Sequence, residues 1–133
     1  MLTIQVYVAM FLCFLATDLL WLGVIARGFY QKQLRFLLRP TTNWPVAILF
    51  YVIYVTGIFV FVVSPALQAD SYRKALALGA FFGFVTYSTY DLTNQATVKG
   101  WPGILSVVDI CWGTVLCSIV ALTGYLTGTW LSV

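Results

Sequence analysis

Three of the four acidic residues in this 133-residue chain, Asp18, Asp91 and Asp109, fall inside apolar runs, and the fourth, Asp70, falls between two of them. Around Asp91 the sequence from Thr86 to Pro102 reads TYSTYDLTNQATVKGWP. That is a carboxylate, an amide, two tyrosines and several hydroxyls in a chain that is 62% hydrophobic. A carboxylate near the centre of a membrane helix costs about 2.5 to 3.5 kcal/mol on insertion scales, so it must find a donor, bind a cation or take up a proton. Only Arg27 and Lys99, at the boundaries of these runs, stand near enough along the chain to reach back.

The spacing of the neighbours gathers them into a candidate site. Gly83, Tyr87, Tyr90, Asp91 and Asn94 recur at helical intervals and form one stripe, expected to face other helices. Asp18 precedes Trp21 by three residues and Asp109 precedes Trp112 by three, which sets an indole one turn from each carboxylate, as a wall or as an N–H donor. Read otherwise, the tryptophans anchor at the membrane interface. Tyr51 and Tyr54, three residues apart, share a face and either donate to the acids or simply pack. Asp91, Asp109 and Asp18 are thus the candidate acid and base residues, with Asn94, Tyr87, Tyr90, Trp112, Trp21, Tyr51 and Tyr54 as candidate binding residues.

No cofactor fingerprint or nucleophile–base pair is present, and with no His and no CxxC there is no zinc pattern. Mg²⁺ held by the three Asp and Asn94 is the one metal arrangement the residue types allow. Cys13, Cys111 and Cys117 all lie in apolar runs and read as small buried side chains rather than a disulfide set.

The elements that must position these residues are membrane helices. Only 8% of residues are charged, far below the quarter usual in soluble domains. At roughly 20 residues per crossing, the runs make an all-α integral membrane bundle of four transmembrane helices, about 3–25, 44–65, 73–94 and 104–131, as one domain over 1–133. Pro65 is expected to end the second. The first run has no basic segment before it and no cleavage site after it, so it reads as a retained helix. A net charge of +3, clustered in loops, gives no basis for binding nucleic acid.

Arg27, Lys32, Arg35 and Arg39 in the first loop and Lys99 in the third outweigh Arg73 and Lys74 in the second. The positive-inside rule therefore puts the first and third loops in the cytoplasm and both termini on the outer, periplasmic side. The basic segment RGFYQKQLRFLLRP is either a topology signal alone or an amphipathic stretch along the inner headgroups. Counting in from the boundaries at 1.5 Å per residue, all three buried acids lie roughly 5 to 13 Å inside the cytoplasmic face. Three helices deliver a carboxylate to one layer.

Taken together, DLLWLG, FYVIY, TYSTYDLTNQAT, GWP and DICWGT resemble a bacterial family of small predicted membrane proteins, domain of unknown function 2177, over essentially the whole chain. The resemblance implies a four-helix inner (plasma) membrane protein and assigns no residue a role. Three functions fit the residues. The first is binding or modifying a membrane lipid or isoprenoid by proton-transfer chemistry, alone or with a membrane-enzyme partner. The second is a small proton- or cation-coupled transporter, completed by a homodimer through Gly124 and Gly128. The third is a structural membrane subunit.

Overall fold

The computed structural model describes residues 2–35, 37–38 and 41–132, and it is all-helical, with no strand among them. Helix α1 (Leu2–Leu20) runs on through a π turn at Trp21–Ile25, and a short helix α2 (Arg27–Leu34) follows Ala26. Phe36, Arg39 and Pro40 of the basic segment lie outside the described residues. Helix α3 (Trp44–Ile58) continues through a second π turn, Phe59–Val63, into α4 (Ser64–Gln68). The long helices α5 (Tyr72–Thr97) and α6 (Gly103–Leu131) complete the chain.

The helix starts follow from local chemistry. Asn43 caps α3 by accepting from the Val46 N–H at 3.5 Å, with Pro45 in the first turn where its missing N–H costs nothing. Ser71 caps α5 in the same way, accepting from the Lys74 N–H at 3.1 Å.

Pro65 does not end the second long helix, which reaches Gln68. The π turn just before Pro65 widens the backbone where a proline ring would otherwise collide with the carbonyl four residues earlier. The helix absorbs the proline instead of stopping at it.

Three helical stretches, Leu2–Ile25, Trp44–Gln68 and Gly103–Leu131, are long and apolar enough to cross a membrane, with mean hydropathies of 2.2, 2.7 and 2.1. Helix α5, at 26 residues, matches them in length but not in apolarity, because its second half carries the polar stripe.

Helix α6 is the hub, packing against α5, α1 and the α3–α4 stretch. Small residues bring α5 close: a Cβ on Gly79 would sit 2.8 Å from the Cys117 carbonyl oxygen, and one on Gly83 would sit 2.1 Å from that of Gly113. Such contact is how helices gain packing energy where lipid offers no hydrophobic drive. Met10 and Phe14 of α1, Val55 and Ile58 of α3, and Leu116 and Val120 of α6 fill the core on the other side.

Two expectations are corrected by this packing. Gly124 and Gly128 face Met10, Val63 and Leu67 of the same chain, so the small-residue stripe assigned to a homodimer is already covered. Of the cysteines, only Cys117 is buried; Cys13 is half-buried and Cys111 is exposed, on the face of α6 turned away from the core.

Candidate functional site

Helix α3 meets α5 chiefly through its π turn, reaches it from Tyr54, and stands apart from it toward Trp44. The divergence begins at Tyr54, whose hydroxyl meets the Thr86 hydroxyl at 2.5 Å and the Cys117 thiol at 3.1 Å. Below that crossbar lies a cavity of about 640 Å³, open on one side. Ala47, Phe50 and Tyr51 of α3 form one wall and Tyr87 and Tyr90 of α5 the other, with Asp18, Asp109 and Trp112 behind. Its volume is that of a small-molecule site.

The three acids lie in one region of the bundle but divide into a pair and a single. Asp18 accepts from the Tyr51 hydroxyl at 3.2 Å and from the Trp112 indole N–H at 3.3 Å. Asp91 is fully buried, and no N–H or hydroxyl reaches either of its carboxyl oxygens. The ionisable group beside it is the carboxyl of Asp109. Two neighbouring carboxyls repel when both are ionised and can bond to each other only when one carries a proton.

Asp109 also accepts from Tyr30, at 2.6 Å, and Tyr30 in turn accepts from the Trp21 indole N–H at 3.1 Å. Tyr30 lies on α2, outside the long helices. Burial, and then its bond to Asp109, raise its phenol above the usual value near 10, so at neutral pH it stays a donor. The Trp21 and Trp112 rings stack with centroids 4.4 Å apart, tying α1 to α6 beside the acids.

Each residue expected in the site can now be located. Asp18, Asp109, Tyr51, Tyr54, Tyr87, Tyr90 and Trp112 line the cavity. Asp91 stands behind Asp109, while Trp21 and Asn94 stand outside the wall. Each indole bonds away from the acid on its own helix: Trp112 serves Asp18, and Trp21 serves Tyr30. Tyr51 donates to an acid as one reading had it, whereas Tyr54 does not. Tyr90 leaves the inward stripe, being largely exposed and edge-on to Trp101, with ring centroids 5.8 Å apart.

Among the described residues no three carboxylates or thiols converge as a metal site, so the Mg²⁺ arrangement of three Asp with Asn94 is not formed. Tyr30 is the residue that the sequence reading passed over. The signal was available as an aromatic pair, Phe29-Tyr30, within a segment read as a topology signal or as an amphipathic stretch along the headgroups.

A family model described as a predicted membrane protein, domain of unknown function 2177, matches residues 3–126. The chain belongs to this family. Neither the curated proteins nor the solved structures contain a match to it. The DUF2177 match spans α1 to most of α6 and so includes every residue of the cavity wall and of the acid pair.

Proposed function

We propose that this DUF2177 protein crosses the bacterial inner membrane four times and binds a lipid or isoprenoid, with Asp109 exchanging a proton with the bound group. The observation that carries the reading is the cavity: acids at its back, aromatic walls, and one open side. The exposed Phe50 on the cavity wall, and the exposed Val46, Ile53 and Phe61 on the same helical stretch, fit acyl or prenyl surroundings rather than water.

The fourth crossing is supported by α5, which packs against α6 and is of similar length. The loop charges then orient both termini outward.

Isomerisation and dehydration both require a base that removes a proton and an acid that returns one. Asp109 faces the cavity and can do the first; Asp91, behind it, is a positioning residue that holds or supplies the pair's proton. Transport fits less well, because the half of the bundle around Val6, Met10, Val62, Val63 and Val120 is closed by fully buried apolar side chains. A purely structural role fits less well too, since interhelical hydrogen bonds average about 0.6 kcal/mol, below the insertion cost of each acid.

Native mass spectrometry of the purified chain, followed by lipid extraction, tests the reading. One defined lipid or isoprenoid should accompany the wild type and be lost or chemically changed in folded Asp109→Asn. Identical bulk phospholipid in both proteins would refute it.

A further inference from the structure

The walls of the cavity carry a chemical preference that the lipid reading alone does not use. Tyr51, Tyr87, Tyr90 and Trp112 surround a back wall holding Asp18 and Asp109, and none of the lining residues is basic. Aromatic faces are negative at their centres and attract cations, most of all ammonium groups stripped of water. The acids add charge of the same sign, and among the described residues no Lys or Arg bonds to them. Asp91, fully buried behind Asp109, holds the pair's proton, which leaves the negative charge on Asp109, the member that faces the cavity.

A phosphate or carboxylate headgroup would be repelled by the acids and would find no basic residue in the lining to offset that. An uncharged alcohol would leave the acids without a counter-charge. An ammonium satisfies both the rings and the carboxylates.

Resting on the lipid reading above, the geometry points to an amphiphile with an ammonium headgroup, primary or quaternary, as the ligand of this cavity. Its headgroup sits against Asp109, Asp18 and the aromatic walls, and its tail leaves through the gap between α3 and α5. A second, apolar groove of about 310 Å³ lies on the same seam beyond the Tyr54–Thr86 crossbar, lined by Phe61, Leu78, Phe81 and Phe82 among others. Thr86 borders both spaces, so a tail leaving the first meets the second.

The test uses the full chain in neutral maltoside micelles, with tryptophan fluorescence as readout because Trp112 lines the cavity. Four probes are compared: dodecyltrimethylammonium, its uncharged isostere with a tert-butyl head, dodecyl phosphate, and tetramethylammonium alone. The ammonium amphiphile should bind about tenfold more tightly than the uncharged isostere, and the phosphate more weakly than either. Asp109→Asn should erase the preference. Asp70→Asn, the same change of charge on the distant loop between α4 and α5, should keep it.

Equal or tighter binding of the uncharged isostere by the wild type overturns the ammonium assignment whether or not any variant folds, and leaves the lipid reading standing. Failure of every amphiphile to saturate overturns both. Tetramethylammonium binding as tightly as the amphiphile supports the ammonium site and overturns a lipid as its source.

Discussion

At the scale of single residues, Tyr30 and Asp91 hold the site together in opposite ways. Tyr30 gives Asp109 its one hydroxyl donor and receives the Trp21 indole, so Tyr30→Phe removes two bonds at once. We expect a loss of about 1 to 3 kcal/mol in thermal or denaturant stability, together with altered tryptophan emission. The phenol is also a pH sensor of known sign. With its pKa raised in the folded protein, the docking of α2 is fully stabilised below about pH 10, where the free phenol ionises, and weakens as pH rises beyond it. An alkaline titration followed by tryptophan fluorescence should show a transition above about pH 10 that Tyr30→Phe lacks. Asp91, in contrast, has no donor except what the Asp109 carboxyl can share. Asn in its place supplies an N–H to Asp109, so Asp91→Asn should fold normally, while Asp91→Leu leaves Asp109 without that partner. Comparing melting temperatures of the two variants checks this, and an Asn variant that melted well below the wild type would count against the shared bond.

At the scale of elements, the seam between α5 and α6 sets where the site can be. Gly83 and Gly113 touch, and Tyr87 lies over Gly113, where an added Cβ would come within 2.2 Å of its ring. Gly83→Ala and Gly113→Ala should each cost about 1 to 3 kcal/mol through overpacking, and the second should also push Tyr87 into the cavity. Gly23→Ala and Gly28→Ala meet no atom within 4 Å and serve as neutral controls. Melting curves of the four variants in one detergent separate the two pairs. Gly83, at the head of the stripe expected to face other helices, made this seam legible in the sequence, because only small residues permit such approach. The π turns at Trp21–Ile25 and Phe59–Val63 were not legible, since both runs are continuously apolar and hydropathy carries no record of helical register. For the same reason Pro65 read as a stop, when the widened turn before it lets the helix continue.

At the scale of the whole molecule, what could be read in advance was the layer, and what could not was the partition within it. Residue counts from the basic boundaries brought Asp18, Asp91 and Asp109 to one depth, because helical rise is nearly constant. Which acid faces the cavity depends on how the helices rotate against one another, and that is decided by contacts such as Gly83 on Gly113 and Trp21 on Trp112. Orientation across the membrane is a matter of charge asymmetry, with Arg27, Lys32 and Arg35 on one connection and Arg73 and Lys74 at the start of α5. If α5 crosses, the loop at Ala69 and the loop at Lys99 lie on opposite faces, and the C-terminal end of α6 returns to the side of Ala69. Ala69→Cys, Lys99→Cys and Ser132→Cys, each made in a Cys13→Ala, Cys111→Ala background, place one accessible thiol on each connection while Cys117 stays buried. A membrane-impermeant maleimide added to intact cells should label Cys at 69 and 132 at once and Cys at 99 only after lysis. The reverse pattern would keep four crossings and invert the protein, putting the acid layer toward the outer leaflet. Equal labelling at 69 and 99 would mean that α5 does not cross, and the cavity between α3 and α5 would then open onto water rather than lipid.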